Sequence, residues 1–205
     1  MTRSLGFWNF IAKKYSKDKI ADMETYKRKL EQTQALFSSD DQVLEFGCGT
    51  GSTALIHAPH VGHITATDYS PKMIDIARSK LGEVSNVSFE VATLEDWTAA
   101  PASYDVVMGL NILHLLPDHR GAIARAYELL KPGGYLVTST ACIGEMNGVL
   151  RAILPVASAL RVLPYVARFT LDELESDLRA AGFDIQTSWR PSKMNAAFHI
   201  CRKPD

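Results

Sequence analysis

The sequence predicts an α/β protein with a doubly wound, mostly parallel sheet that has helices on both faces. Between residues 43 and 140, short apolar runs alternate with helical patterns, and this alternation is typical of a parallel sheet covered by helices. The chain has 205 residues, of which 46% are hydrophobic. This length and composition suffice for one substantial core, and no internal repeat divides the chain, so we expect one domain over residues 1–205.

The core of the expected fold lies over residues 43–140. The strand candidates are the runs 43–46, 63–67, 86–91, 104–110 and 134–140, and the helix candidates between them are 52–58, 71–81 and 118–130. Pro71 suits the first turn of its helix, because the N–H that proline lacks would be unpaired there in any case. Lys131-Pro132-Gly133-Gly134 is a strong stop signal and predicts that the fifth strand begins only at residue 134.

Two segments lie outside this alternation. Residues 7–37 are expected to form an N-terminal cap of one or two amphipathic helices. Residues 141–169 form an apolar insertion rich in Gly, Pro and Leu, with Arg151 and Arg161 among its few charges. Such an insertion could roof a hydrophobic acceptor, bury its own core as a helix pair, or form a contact between two copies of the chain.

Residues 170–205 are expected to close the fold with one helix and two strands. Thr170 and Glu173 have the spacing of a capping box, and Gly182 follows the helix as its C-terminal stop. The two β-like runs behind it, 183–189 and 196–202, predict an antiparallel pair of strands at the end of the chain.

Composition excludes several classes of protein. The 22 basic and 23 acidic residues give a net charge of −1, so we expect no nucleic-acid partner. The first residues lack the apolar core of a secretory signal, and no apolar run approaches the roughly 18 residues of a membrane-spanning helix. Cys48, Cys142 and Cys201 are odd in number and far apart, which argues against a disulfide framework. Together these features predict a cytoplasmic protein with no transmembrane segment.

A glycine triplet, Gly47, Gly49 and Gly51, follows the first strand candidate in the segment Val-Leu-Glu-Phe-Gly-Cys-Gly-Thr-Gly. Glycines let the backbone approach a ligand where a side chain would collide. A dinucleotide fingerprint would bind a pyrophosphate here and would have its third glycine at position 52, which is Ser52. Glu45, near the end of the strand, would repel phosphate but suits an ammonium group. The loop therefore predicts a nucleotide-like cofactor and argues against a nicotinamide dinucleotide.

This segment resembles motif I of the class I S-adenosylmethionine-dependent methyltransferases. The resemblance covers roughly residues 40–140 and includes Asp68, the Asn-x-x-His segment at 111–114 and the Leu-Lys-Pro-Gly-Gly-Tyr-Leu run that starts at residue 130. It implies a Rossmann-like sheet of seven strands with an antiparallel last strand. It also implies S-adenosylmethionine as the cofactor, with S-adenosylhomocysteine as the product, and assigns the methionine part of the cofactor to the loop residues Glu45, Gly47, Cys48, Gly49 and Gly51.

Further cofactor residues are expected where the second and third strands end. Asp68 follows the second strand, where a carboxylate can accept hydrogen bonds from both ribose hydroxyls. Tyr69 could pack on the adenine. After the third strand, the family often has an acidic residue that contacts the adenine amino group, but the best alignment places Thr93 there. A slip in that alignment would offer Glu95 or Asp96 instead, and the backbone N–H of Leu94 could bond the adenine ring.

Three side chains are candidates for the methyl-transfer step. In the family the segment containing Asn111 and His114 lies beside the methyl group and the substrate, so Asn111 could bind the cofactor or orient the acceptor. His114 could act as a general base, or it could be a partly buried residue with a structural role. Tyr15 resembles the tyrosine of the Ala-x-x-Tyr-Asp lead in small-molecule members, although Ser16 replaces the aspartate. Its ring could cover the sulfonium.

No metal site is expected. His57, His60 and His63 are spaced by three residues, but Pro59 and Gly62 would break any helix that aligned them.

The resulting hypothesis is methyl transfer from S-adenosylmethionine to a small, hydrophobic or lipid-like acceptor. Two alternatives stay open: a nicotinamide-dependent oxidoreductase, and a non-catalytic protein that binds S-adenosylmethionine. The expected partner is a small-molecule acceptor, and the apolar insertion could also contact a membrane surface peripherally. We expect the chain to be a monomer or a homodimer.

Overall fold

A seven-stranded sheet forms the centre of the protein in a computed structural model, which describes residues 4–145, 164–191 and 196–205. The strands are β1 Gln42–Phe46, β2 His63–Asp68, β3 Val87–Val91, β4 Tyr104–Leu110, β5 Leu130–Ala141, β6 Asp184–Trp189 and β7 Ala196–Arg202. Their spatial order is β3-β2-β1-β4-β5-β7-β6. Strand β7 is antiparallel to β5 and β6, and the other neighbouring pairs are parallel. The predicted fold class, with its antiparallel last strand, is confirmed.

Helices cover this sheet and precede it in the chain. They are α1 Leu5–Tyr15, α2 Met23–Gln34, α3 Ser52–His57, α4 Pro71–Ser79, α5 His119–Leu129 and α6 Leu171–Ala180. The segment 7–37 therefore contains two helices. Most of the predicted insertion, residues 146–163, lies outside the described residues. Within the described ranges, no helix is long and apolar enough to cross a membrane.

The expected signals at the start of α6 are present. Thr170 Oγ1 accepts a 3.2 Å hydrogen bond from the N–H of Glu173, and Glu173 Oε2 accepts a 2.8 Å bond from the N–H of Thr170. This reciprocal pair is the predicted capping box, and it satisfies two backbone donors that a helix N-terminus would leave unpaired. The strands that follow, β6 and β7, form the predicted antiparallel pair.

One predicted boundary is wrong. Strand β5 begins at Leu130, which pairs with Tyr104, and not at residue 134. The next paired residue is Tyr135, opposite Val106, so residues 131–134 form an irregularity within the strand. Pro132 has no N–H to donate to the ladder, and Gly133 has a φ of +75°. The stop signal in the sequence therefore marks a bulge as well as the end of α5.

The sheet is buried on both faces. Neighbouring residues of β1 point to opposite sides, and each belongs to a different apolar cluster: Leu44 packs with Ile123 of α5 and Leu174 of α6, whereas Val43 packs with Ile74 of α4. All five side chains are essentially inaccessible to solvent. Because both faces of the central strands are buried, their sequences are nearly continuous apolar runs.

The N-terminal helices are tied to both halves of the sheet. On α1, Asn9 Oδ1 accepts a 2.7 Å hydrogen bond from the hydroxyl of Ser70, which is the N-cap of α4. On α2, Gln32 Oε1 accepts a 2.8 Å bond from the indole N–H of Trp189 on β6. These contacts connect residues 61 and 157 positions apart, and they fix the helices over the carboxyl ends of the strands.

The chain order of the strands reverses beside β1. Strands β1, β2 and β3 run outward to one edge of the sheet, and β4 then returns to the other side of β1. The connections that leave the carboxyl ends of β1 and β4 therefore diverge to opposite faces, which opens a crevice between them. The segments directly after these two strands border that crevice, through Gly47 and Gly49 after β1 and through Asn111 and Ile112 after β4.

Candidate functional site

The loop after β1 has a backbone that requires glycine. Gly47 and Gly51 have φ values of +68° and +74°. A Cβ on Gly47 would lie 2.6 Å from Cγ1 of Ile112, and one on Gly51 would lie 2.5 Å from Cζ of Phe89. Both the dihedral angle and the close neighbours thus exclude a side chain. The predicted glycine loop is a narrow turn, and the N–H groups of Cys48, Gly49 and Gly51 hold it in place by bonds to Thr67, Asp68 and Cys48.

Asp68 fastens this loop to the end of β2. Its Oδ2 accepts a 3.0 Å hydrogen bond from the N–H of Gly49, and its Oδ1 accepts a 2.8 Å bond from the N–H of Ser70. Burial raises the pKa of the carboxyl group, although both amide hydrogen bonds act to lower it. Each oxygen keeps a second lone pair, so the same carboxylate can still accept bonds from a ligand. Its role in holding the loop adds to the ribose role expected from the sequence.

Glu45 is a buried carboxyl group with an unpaired oxygen. Only 3% of its surface is exposed, and among the described residues Oε2 has no hydrogen-bond partner. Burial, reinforced by the negative charge of Asp68, raises the pKa of Glu45 to about 8. A cationic ligand group would relieve this cost, because it would offer both a charge and N–H donors. The residue therefore fits an ammonium group of the kind that the methionine part of S-adenosylmethionine carries.

A cavity of about 470 Å³ opens between the loop, α1 and the segment after β4. Eight residues expected from the sequence line it: Tyr15, Gly47, Gly49, Asp68, Tyr69, Thr93, Leu94 and Asn111. Four do not form its wall: Glu45, Cys48, Gly51 and His114. Lining residues that the sequence did not single out include Ser4, Trp8, Met73, Ile112 and Tyr165. The volume lies in the range usual for small-molecule sites.

Thr93 is engaged in a local turn. Its hydroxyl donates a 2.8 Å hydrogen bond to Asp96 Oδ2 and accepts a 3.0 Å bond from the N–H of Asp96. Glu95 lines the cavity, whereas Asp96 does not. Of the two acidic alternatives to Thr93 that the sequence left open, Glu95 is therefore the one that lines the cavity.

Asn111 is held in a strained backbone conformation at the cavity wall. Its φ is +58°, a value that few residues other than glycine adopt. Its N–H donates a 2.6 Å hydrogen bond to the carbonyl of Ser139, and its Oδ1 accepts a 3.4 Å bond from the Ser139 hydroxyl. Backbone strain of this kind persists only where the surroundings over-determine it, and it is common at functional sites.

His114 lies in the short 3₁₀ turn Leu113–Leu115, away from the cavity wall. Its Nδ1 is buried and has no partner among the described residues. Burial lowers the pKa of the imidazole to about 4. The carbonyl of His114 accepts a 2.7 Å hydrogen bond from the N–H of Ala167. A weakly basic imidazole that lies off the cavity wall fits the structural alternative better than the general-base role.

Tyr15 stands over the glycine loop. Its Cε1 would lie 3.6 Å from a Cβ placed on Gly49, and its ring packs edge-on against Trp8 at 6.3 Å between centroids. Burial raises the pKa of the phenol, and the charges of Asp68 and Glu45 add to the shift. The ring therefore borders the cavity directly beside the glycine loop.

A family model for a methyltransferase domain matches residues 43–134. The ubiquinone biosynthesis O-methyltransferase of Thiobacillus denitrificans is 31% identical over 152 residues, which is 71% of this chain and 65% of that protein. The chain thus spans just under two thirds of the length of this relative.

Solved structures share the fold at lower sequence identity. The YcgJ protein from Bacillus subtilis superposes with a TM-score of 0.72 at 18% identity and covers 87% of this chain and 99% of that one. The [4+2]-cyclase SpnF superposes with a TM-score of 0.73 at 20% identity and covers 86% and 80%. The match over residues 43–134, the glycine loop and the strand order together make this chain similar to the class I S-adenosylmethionine-dependent methyltransferases.

Proposed function

We propose that the chain transfers the methyl group of S-adenosylmethionine to a small hydrophobic acceptor with an aromatic hydroxyl, of the quinol class. One observation carries this proposal: the same cavity is lined by the glycine loop and the carboxyl group of Asp68 and also by mainly apolar side chains. The cofactor supplies an activated methyl group on a sulfonium, so the protein's task is to align the acceptor and exclude water. The name of the Thiobacillus denitrificans relative supports the quinone-like acceptor.

At the cofactor end, the polar groups match the parts of S-adenosylmethionine. The free lone pairs of Asp68 would accept hydrogen bonds from the ribose hydroxyls, while its other lone pairs keep the loop in place. Glu45 would pair with the ammonium group, since its Oε2 has no partner among the described residues. Tyr69, Leu94 and Glu95, which all line the cavity, would surround the adenine.

At the acceptor end, the wall is apolar. Leu115 and Leu116 line the cavity in the segment that follows Asn111, and Trp8 faces it from α1. Such a surface favours an aromatic or isoprenoid ligand over a charged one, because charged groups would lose their hydration without finding partners. The Asn111 amide is the polar group that would orient an acceptor hydroxyl. Tyr15 would cover the positive sulfonium.

As the methyl–sulfur bond breaks and the methyl–oxygen bond forms, the acceptor hydroxyl must lose its proton. A phenolic proton is acidic enough to pass to solvent, so we assign no side chain as its general base. Holding two reactants in line can lower the barrier by roughly 7–11 kcal/mol without proton transfer. Burial lowers the pKa of His114 to about 4, which makes it a weak base, and the residue does not line the cavity. We therefore assign the rate acceleration to alignment by Asn111, Tyr15 and the apolar wall, and we assign His114 a structural role.

Turnover with a panel of acceptors tests the proposal. The purified chain is incubated with S-adenosylmethionine and catechols, quinols, thiols or amines, and S-adenosylhomocysteine is quantified. We expect turnover with quinols or catechols, and Asn111→Ala should reduce it while the exposed-surface variant Val91→Ser should not. Turnover confined to thiols or amines would overturn the acceptor class. Binding of S-adenosylmethionine without turnover of any acceptor would favour the non-catalytic alternative.

The cofactor class has a separate test. Thermal unfolding is followed with S-adenosylhomocysteine or NAD, and a ligand that binds the folded state raises the Tm. We expect stabilisation by S-adenosylhomocysteine, whereas stabilisation by NAD alone would support the oxidoreductase alternative.

A further inference from the structure

The N-terminal helix α1 has two faces of different character. Trp8 and Tyr15, seven residues apart, line the cavity, and Ala12 between them is buried. Phe10 points to the opposite side and is 87% exposed, a high value for a large aromatic side chain. One short helix therefore carries both Trp8 and Tyr15 on its inner side, towards the cavity, and the exposed ring of Phe10 on its outer side.

Three lysines accompany Phe10 on the outer side. Lys13 and Lys14 follow Phe10 by three and four residues, which is the spacing of one helical face, and Lys17 lies in the turn directly after the end of α1. All three are exposed, and none forms an ion pair within the part of the chain that the structure describes. We call these four residues the outer α1 surface.

The local charge differs from that of the whole chain. Residues 10–23 carry four lysines and two aspartates, in a protein with a net charge of −1. One of the aspartates, Asp22, caps α2 and accepts a 3.0 Å hydrogen bond from the N–H of Thr25. Ile20 and Met23, which extend the surface beyond α1, are 44% and 48% exposed. The segment thus combines unpaired positive charge with exposed apolar side chains.

We propose that the outer α1 surface docks on an anionic lipid bilayer. Phe10 and Ile20 enter the interface between headgroups and acyl chains, while Lys13, Lys14 and Lys17 lie against the anionic headgroups. Exposed apolar groups ringed by unpaired lysines match this surface in both charge and hydrophobicity. Docking would hold α1, and so the cavity that α1 borders, against the membrane. A lipid-like acceptor could then reach the cavity from the bilayer; this consequence rests on the proposed function.

Vesicle co-sedimentation of the full chain tests the docking without any cofactor or acceptor. The vesicles contain phosphatidylcholine alone or with 30 mol% phosphatidylglycerol. We expect binding to the anionic vesicles that falls steeply with added salt. One lysine near such a surface changes the partition coefficient about fivefold, so the double variant Lys13→Gln/Lys14→Gln should weaken binding roughly 10- to 30-fold. Phe10→Ser should also weaken it.

Matched controls separate the surface from general charge and hydrophobicity. Arg120→Gln/Arg179→Gln removes two exposed positive charges elsewhere, and Val91→Ser removes an exposed apolar side chain on β3. Both should leave vesicle binding unchanged. Equal binding to neutral and anionic vesicles, or equal binding by the Lys13/Lys14 variant and the wild type, would overturn the proposal. So would a dimer in light scattering that Phe10→Ser dissociates, since the surface would then contact a second copy.

The failure of docking and the failure of the proposed function are distinguishable. Vesicle binding requires no turnover, and turnover with a water-soluble acceptor requires no vesicle. Phe10→Ser should retain the wild-type rate with a soluble quinol and lose only the stimulation by anionic vesicles with a lipid-soluble one.

Discussion

Lys29 of α2 donates a 2.7 Å hydrogen bond to the hydroxyl of Ser139 on β5, across 110 positions in the chain. The same serine accepts a hydrogen bond from the Asn111 N–H through its carbonyl and contacts Oδ1 of Asn111 through its hydroxyl. Burial lowers the pKa of the Lys29 ammonium. A cation inside the N-terminal segment thus supports the strained residue that borders the acceptor end of the cavity.

Replacing Lys29 tests this connection. Lys29→Met keeps the length of the side chain but removes the donor, which should free the Ser139 hydroxyl and loosen Asn111. A hydrogen bond to a charged group contributes about 1.5–3 kcal/mol before desolvation is counted, so we expect kcat to fall about 3- to 10-fold with little change in the KM for S-adenosylmethionine. Lys27→Met, an exposed site on the same helix, is the control. Equal kcat values for the two variants would contradict the connection.

Asp68→Asn should weaken S-adenosylhomocysteine binding through two effects. The amide lacks the charge for the ribose hydroxyls, and one of its atoms can no longer accept from Gly49 or Ser70. Charged hydrogen bonds of this kind are worth about 1.5–3 kcal/mol, which corresponds to a Kd raised about 10- to 150-fold in calorimetry. Asp75→Asn, at an exposed position of α4, should bind as the wild type does. An unchanged Kd for Asp68→Asn would refute the ribose assignment.

Local sequence patterns predicted the strands of the sheet, but they did not predict all the residues that line the cavity. The apolar run at Leu44 and the capping box at Thr170 depend on neighbouring residues, so they can be read from the sequence. The bond from Lys29 to Ser139 and the position of Trp8 on the cavity wall depend on how distant helices pack. Periodicity carries no information about such contacts. The start of β5 was misplaced because Pro132 signals the same break for a loop and for a bulge.

His114→Gln distinguishes a structural histidine from a catalytic base. Loss of a general base typically costs about 10²- to 10⁴-fold in rate. Because His114 lies off the cavity wall and its pKa is lowered to about 4, we expect a loss below about tenfold and no change in the pH–rate profile between pH 6 and 8. The measurement is kcat at several pH values. A rate reduced a hundredfold, with loss of a titrating limb, would restore the general-base role.

The raised pKa of Glu45 makes the stability of the unliganded protein pH-dependent. The unfolded chain releases this proton near the ordinary value of 4.5, whereas the folded protein keeps it up to about 8. The folded state therefore binds more protons in this window, and stability should fall as pH rises from 4.5 to 8. Glu45→Gln cannot titrate, so its stability relative to the wild type should increase over the same window by a few kcal/mol at most. Urea unfolding at pH 5 and pH 8 measures this, with the exposed Glu90→Gln as control, and a constant difference at both pH values would contradict it.

Cofactor binding should show the opposite trend. If Glu45 pairs with the ammonium group of S-adenosylhomocysteine, it must first lose its proton, so affinity should rise between pH 6 and 8, by up to about tenfold per pH unit, and level off above its pKa of about 8. Glu45→Gln should bind more weakly and lose this pH dependence. Calorimetric titration at several pH values measures both effects. A wild-type affinity that does not vary with pH would show that binding does not require Glu45 to lose its proton. The ammonium group would then bind elsewhere.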